Sequence, residues 1–181
     1  EEEPVKLEEG LLSRGERLTF ESSASDRGLK MNLGKKYRKG DFTIFVSVET
    51  DGQPLHGTVC KGKNWSWEAD SASFKPCLTV GKQTVRSCNV LGTADSWLRY
   101  GRGTNGKWYP VEPYSRFTLA VVAEGGRLTT YVNGLVDQSM EGDCDLRDLL
   151  LGACNGRIGS YAVYHRALNP AEIARLDSQC R

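Results

Sequence analysis

The run that decides the fold is Asp41-Phe42-Thr43-Ile44-Phe45-Val46-Ser47-Val48-Glu49. Its apolar residues recur at every second position, a period typical of a β-strand with one buried face. The same texture returns at 117–123 and 128–132. Glu124-Gly125-Gly126 separates these two runs and Asn133-Gly134 follows the second, both turn sequences that favour hairpins. The pattern predicts antiparallel strands joined by tight turns.

One further hairpin is predicted between residues 77 and 88, with its turn at Gly81-Lys82-Gln83. Pairing Val80 with Val85 would place Cys77 opposite Cys88, within the roughly 4.4–6.8 Å between Cα atoms that a disulfide spans. The chain has an even number of cysteines and no Cys-x-x-Cys pair, which favours disulfides over zinc and leaves their connectivity open. They are Cys60, Cys77, Cys88, Cys144, Cys154 and Cys180.

A helix is predicted near the C-terminal end, from residue 169 to 176. Asn169 suits the N-cap, Pro170 the first helical position, and Glu172 can hydrogen-bond back to the cap. Leu168 and Ile173 occupy the positions of a hydrophobic staple. One short helix after many strands predicts an all-β sandwich.

The composition describes one neutral globular domain. The chain has 181 residues, with 24 Lys+Arg against 23 Asp+Glu and a formal charge of +1. Without a long basic block we expect no nucleic-acid partner, and without an apolar run of roughly 20 residues we expect no membrane insertion. We divide the domain into an N-terminal tail and first strand, residues 1–40, and a sandwich, residues 41–181.

Three stretches resemble the laminin G-like members of the concanavalin A-like lectin and glucanase superfamily. They are residues 117–134 with their "YVNG" turn, Gly156-Arg157-Ile158, and the closing run 164–176, "YHRALNPAEIARL". The closing run is also similar to the lectin-like module of parasite sialidases and trans-sialidases. The resemblance implies a jelly roll of two antiparallel sheets, with the helix capping one end and Cys154 bridged to Cys180.

The candidate ligand-binding residues are the aromatic, arginine and asparagine side chains that lie between the matched strands. Aromatic faces stack on sugars while Arg and Asn donate to hydroxyls, although each Trp is at least as well suited to the core. The set is Trp65, Trp67, Trp97, Arg99, Arg102, Asn105, Trp108 and Tyr109.

Other motifs are weaker. Glu68 and Asp70 would share one face of a strand, so a glycoside hydrolase with two carboxylates is an alternative. The glycine-rich run 101–108 matches a nucleotide-binding pattern, but no helix is predicted after it. No cofactor is expected, although a structural calcium ion near Asp143, Asp145 and Asp148 is a possibility against the alternative of a solvated acidic loop.

The sequence as a whole predicts a non-catalytic recognition module that binds a carbohydrate or glycoconjugate. The alternative is a protein-interaction or assembly module of a larger polypeptide. The even cysteine set and the sequon Asn64-Trp65-Ser66, a candidate glycosylation site, favour a secreted protein or the extracellular face of the cell surface.

Overall fold

The computed structural model describes residues 4–18, 28–50, 54–70, 73–87, 100–102, 108–110 and 116–180, with the backbone alone at 17–18, 100–102 and 108–110. It contains two six-stranded sheets in which every pair of neighbours is antiparallel. Sheet A has the order β1-β14-β3-β10-β11-β12 and sheet B the order β2-β13-β4-β5-β6-β7. The predicted all-β sandwich is therefore confirmed.

The strands of sheet A, in chain order, are β1 (Leu11–Leu18), β3 (Phe42–Glu49), β10 (Arg116–Glu124), β11 (Arg127–Val132), β12 (Leu135–Glu141) and β14 (Arg157–Tyr164). Those of sheet B are β2 (Leu29–Met31), β4 (Gly57–Lys61), β5 (Trp65–Ala69), β6 (Pro76–Val80), β7 (Gln83–Arg86) and β13 (Leu149–Cys154). A separate hairpin pairs β8 (Tyr100–Arg102) with β9 (Trp108–Pro110), and Lys35–Tyr37 forms a 3-10 turn.

The main core lies between the sheets and follows the alternation of the sequence. Phe42, Ile44, Val46 and Val48 of β3 are at most 1% exposed and belong to this core. Phe45, on the opposite face of β3, is also buried, but it belongs to a second apolar cluster outside sheet A. The run that predicted the fold is thus the central strand of a sheet covered on both faces.

Both predicted hairpin turns beside β11 are present. Glu124 pairs with Arg127 around Gly125-Gly126, and Val132 pairs with Leu135 around Asn133-Gly134. All four turn residues have positive φ, between 51° and 79°. Two such residues in succession match the twist of the flanking strands, which explains why these turns are built from glycine and asparagine.

The β6–β7 hairpin differs from its predicted register. Val80 pairs with Gln83 and Leu78 with Val85, so the turn contains Gly81 and Lys82 only. Cys77 consequently lies opposite Arg86, whereas Cys88 is outside the described residues. The predicted pairing of Val80 with Val85 is wrong because a two-residue turn closes this hairpin.

The predicted helix is α1 (Pro170–Cys180), and its N-terminus has the expected capping box. The Glu172 backbone N–H donates to Asn169 Oδ1 at 2.8 Å, and the Asn169 N–H donates to Glu172 Oε1 at 3.1 Å. The resemblance implied that this helix caps one end of the sandwich, and that expectation is wrong. Leu168, Ile173 and Leu176 cover the outer face of sheet A, where they pack with Phe45 and Val122.

The first forty residues supply an edge strand to each sheet, since β1 pairs with β14 and β2 pairs with β13. The segment before β1 is attached to the start of α1. Arg166 donates to the backbone carbonyls of Lys6 and Glu9 and forms a two-pronged ion pair with Glu172, at 2.6 and 2.9 Å. Within the described ranges, no helix has the length and apolar character needed to span a bilayer.

Candidate ligand-binding site

Trp65 and Trp67, predicted to face a ligand, lie in the core. They are 2% and 0% exposed, because the alternation along β5 directs residues 65, 67 and 69 inward. Trp65 stacks on Phe42 with 5.7 Å between ring centroids, and Trp67 lies 6.4 Å from Phe117. The prediction is wrong for these two residues, since the ligand-accessible face of β5 is the other one.

The structure does not describe the side chains of the remaining six candidates. Trp97, Arg99 and Asn105 lie outside the described residues. Arg102, Trp108 and Tyr109 lie on the β8–β9 hairpin, where Arg102 pairs with Trp108 and only the backbone is described. Their ligand-binding role stays a prediction. Strand β9 begins at Trp108.

The expected disulfides are not found among the described cysteines, which are Cys60, Cys77, Cys144, Cys154 and Cys180. The Cys154–Cys180 bridge implied by the resemblance is wrong for a topological reason. Cys154 packs in the core between the sheets, whereas Cys180 lies at the end of α1 against the outer face of sheet A. Sheet A therefore separates the two thiols.

Glu68, Asp70 and Asp145, which the sequence indicated as possible catalytic or metal-binding residues, accept hydrogen bonds from neighbouring residues. Glu68 accepts a hydrogen bond from Thr58, and Asp70 accepts two from Ser73, at 2.6 and 2.7 Å. Both are exposed and neither lines the three clefts described below. Asp145 pairs with Arg147 at 2.6 Å. Among the described residues no group of three acidic, histidine or cysteine side chains is arranged to hold a metal ion, Asp143, Asp145 and Asp148 included.

Asn64, the candidate glycosylation site, is exposed in the turn between β4 and β5. Its side-chain amide donates to the backbone carbonyl of Asp143. Glycosylation at this position stays a prediction.

A cleft of about 650 Å³ lies on the outer face of sheet B, at the end formed by β2, β13 and β4. We call it the sheet B cleft. Its walls are the segment 30–38 on one side and the loop 146–148 on the other, with Thr58, Lys61 and Ala153 on the sheet itself. The lining residues are Lys30, Met31, Asn32, Leu33, Gly34, Tyr37, Arg38, Thr58, Lys61, Leu146, Arg147, Asp148, Leu149, Leu150 and Ala153.

The register of three adjacent strands arranges the centre of the cleft. Leu150 of β13 pairs with Lys30 of β2 on one side and with Lys61 of β4 on the other. Neighbouring strands lie about 4.8 Å apart, so the two lysine Cα atoms are about 10 Å apart across a leucine. Both lysines are exposed and Leu150 is half-buried. The cleft thus has an apolar floor between two cations.

Arg38 and Arg147 add two guanidinium groups to the lining. Asp145 holds Arg147 in place. The Asp145 carboxylate accepts hydrogen bonds from the Arg147 backbone N–H at 2.9 Å and from Arg147 Nε at 2.8 Å. Trp65 in turn donates from Nε1 to the Asp145 carbonyl at 2.8 Å. The buried tryptophan therefore positions the loop that carries Arg147, which is a structural contribution to the site and not a ligand contact.

Charge distinguishes the sheet B cleft from two other clefts on the opposite sheet. A cleft of about 610 Å³ beside α1 contains Lys6, Arg127 and Arg166, each of which pairs with a glutamate. A groove of about 890 Å³ along β14 contains Arg14 and Arg116, which pair with Glu8 and Glu49.

In the part of the chain that the structure describes, Lys30, Arg38 and Lys61 form no salt bridge. Only the sheet B cleft, among these three, therefore combines several cations without acidic partners.

The reasoning from sequence missed this site, although part of its signal is visible there. Residues 28–40 contain five cations, Lys30, Lys35, Lys36, Arg38 and Lys39, and no acid. No basic block of five or six consecutive residues occurs, so the segment did not stand out. The contributions of Lys61 and Arg147 depend on strand pairing between distant parts of the chain.

Comparison with solved structures shows what the fold resembles. The chain is 13% identical to a structure of botulinum neurotoxin type C, whose cell entry depends on interaction with two ganglioside molecules. The TM-score is 0.57, and the match covers 93% of this chain and 46% of that one. The botulinum neurotoxin DC binding domain in complex with rat synaptotagmin II is 14% identical, with a TM-score of 0.54 and the same coverages. A Trypanosoma rangeli sialidase with 2,3-difluorosialic acid is 15% identical, with a TM-score of 0.51, covering 77% of this chain and 23% of that one.

At these identities the similarity concerns the fold alone. The chain spans less than half the length of each of these three structures. No family model matches the chain, and no curated protein matches it either. The shared architecture is thus a β-sandwich of two antiparallel sheets, and the comparisons do not assign the chain to the laminin G-like group.

Proposed function

We propose that this domain is a non-catalytic recognition module that binds a glycoconjugate in the sheet B cleft. The observation that supports the proposal is the cleft itself, where an apolar floor at Leu150 and Ala153 is surrounded by donors from Asn32, Arg38 and the two lysines. Apolar surface with a few convergent polar groups is the usual composition of a small-ligand site. Sugars offer both a C–H face and hydroxyls to such a surface.

The fold neighbours agree with this proposal without establishing it. One of these neighbours interacts with ganglioside molecules, and another is a sialidase in complex with 2,3-difluorosialic acid. We extend the class of ligand, a glycoconjugate, to this chain as part of the proposal. A secreted or cell-surface location belongs to the same proposal, because glycoconjugates are displayed there.

A glycan array tests the function, and three variants locate the site. Ala153→Trp fills the floor of the cleft, whereas Thr79→Trp adds the same bulk to the outer face of sheet B outside it. We expect array binding to be lost in the first variant and kept in the second. A double variant, Trp97→Ala with Trp108→Ala, tests two of the aromatic residues predicted from the sequence instead. If only that double variant loses binding, the cleft is not the site.

The absence of catalysis has its own test. We expect no product from β-glucans or sialosides incubated with the purified domain. Hydrolysis that disappears in Glu68→Gln would overturn the proposal in favour of a glycoside hydrolase that uses Glu68 and Asp70.

A second candidate function is protein binding along β12, an edge strand of sheet A. Leu135 and Val136 are 74% and 63% exposed there, beside the Asn133-Gly134 turn. An open edge with exposed apolar side chains can pair with an extended segment of another protein.

A photo-cross-linking amino acid at position 136, compared with one at the exposed Arg175 of α1, tests this candidate. A single protein captured at position 136 alone would favour the candidate, whereas equal capture at both positions would exclude it.

A further inference from the structure

We infer that the sheet B cleft selects an anionic saccharide, one that carries a carboxylate or a sulfate group. This inference rests on the proposed function and specifies its ligand class. The lining of the cleft is cationic, because Lys30, Arg38, Lys61 and Arg147 face a single acidic residue, Asp148. Asp145 compensates only Arg147 among these cations.

The two lysines of the cleft lack an acidic partner among the described residues. Asp145 and Asp148 both lie beside Arg147, whereas Lys30, Arg38 and Lys61 form no salt bridge within the described ranges. Lys30 and Lys61, about 10 Å apart by Cα, occupy equivalent positions on the two sides of Leu150. An anion bound above Leu150 lies within reach of both flexible side chains and can pair with both.

The floor of the cleft favours an anion that also carries apolar surface. Leu150 and Ala153 are half-buried and form an apolar floor. A bare inorganic anion would lose bound water against this floor and make no compensating contact with it. A saccharide places C–H surface on that floor and presents its acidic group to the rim. Arg38, half-buried at the end of the 3-10 turn, offers the planar donors that match carboxylate and sulfate oxygens in pairs.

Charge is accordingly not uniform over the domain. The formal charge of +1 combines a cationic cleft on sheet B with paired charges on sheet A.

Isothermal titration with matched sugars tests the inference. The probes are 3′-sialyllactose for carboxylate, a sulfated lactose for sulfate, and lactose as the neutral reference. The variant Lys30→Gln with Lys61→Gln removes two charges from the cleft. Its control, Lys82→Gln with Arg175→Gln, removes two exposed charges from the β6–β7 turn and from α1.

We expect at least one acidic sugar to bind tighter than lactose, and to lose about tenfold or more of its affinity in the cleft variant but not in the control. Added salt should weaken the acidic sugar and leave lactose unchanged. Equal binding of lactose and both acidic sugars, with no effect of the cleft variant, would overturn the inference and leave the proposed function standing. Failure of every sugar, lactose and the array included, would overturn both.

Discussion

At the scale of single residues, β5 shows what an alternating pattern can and cannot determine. The spacing of Trp65 and Trp67 correctly predicts that they share one face of a strand. It does not indicate which face is covered, because that depends on sheet A packing above them. Aromatic residues suit a core and a sugar-binding surface equally well, and here Phe42 and Phe117 cover them.

Replacing Trp67 tests its place in the core. Trp67→Ala should lower the free energy of unfolding by about 3–5 kcal/mol, because a fully buried ring is removed and a cavity remains. Its neighbour Glu68 points outward, so Glu68→Ala should change stability by about 0.5 kcal/mol or less. Urea denaturation of both variants measures the difference. Similar small effects would mean that Trp67 is exposed.

The Cys60 thiol provides a second residue-scale prediction. Burial, and then the neighbouring Cys154, raise the pKa of the Cys60 thiol far above its ordinary value. Because the thiolate is the reactive form, iodoacetamide should leave Cys60 unmodified in the native protein and alkylate it in urea. Cys180, part-exposed at the end of α1, should react in the native state. Peptide mass spectrometry distinguishes the two, and rapid native alkylation of Cys60 would contradict its burial.

At the scale of elements, the C-terminal helix was predictable in its position and its cap but not in its packing. Asn169, Pro170 and Glu172 act within a few residues of one another, so local sequence specifies the helix start. The surface that the helix covers belongs to strands far away in the chain, including Phe45 and Val122. The ion pair of Glu172 with Arg166 adds a contact to residues 6–9 that no local pattern contains.

The ion pair of Arg166 with Glu172 should make the contact between residues 6–9 and the start of α1 sensitive to acid. Hydrogen bonds from the Arg166 side chain hold the pKa of Glu172 below its ordinary value. A carboxyl whose pKa is lowered in the folded state contributes stability above its unfolded pKa, and that contribution is lost as the pH falls through the folded pKa. The wild type should therefore lose stability below about pH 4.5, the region where free glutamate titrates.

Glu172→Gln should be less stable at pH 7 and should show a weaker dependence on pH in the acid range. Thermal unfolding from pH 7 to pH 3 measures both effects. Glu124→Gln, an exposed glutamate on β10, is the control and should follow the wild-type profile. Parallel profiles for the wild type and Glu172→Gln would show that the ion pair does not stabilise the fold.

At the scale of the whole molecule, the sandwich could be predicted and the candidate site could not. Gly125-Gly126 and Asn133-Gly134 specify their hairpins locally, so the turns on both sides of β11 could be predicted, whereas Gly81-Lys82 left the register of the β6–β7 hairpin open. The sheet B cleft depends on β13 lying between β2 and β4, a long-range order that alternation does not encode. The Cys154–Cys180 pairing failed for a related reason, since the two thiols lie on opposite sides of sheet A.

The disulfides predicted from the even cysteine count can be tested on the whole domain. A disulfide typically contributes about 2–4 kcal/mol to stability. If the intact domain carries such a bridge, reduction with dithiothreitol should lower its Tm by several degrees. Differential scanning calorimetry with and without reductant measures the difference. An unchanged Tm would contradict the prediction.

The clamp of Arg166 on residues 6–9 also sets the direction from which the domain can be tethered. Residues 4–10 and α1 both lie on the sheet A side, and the sheet B cleft opens on the opposite side. If either end of the chain is attached to a solid support through an affinity tag, the domain will therefore be held with its cleft facing the solution. Several copies fixed on one support would present their clefts in parallel, an arrangement suited to weak, multivalent capture of a glycan-coated particle.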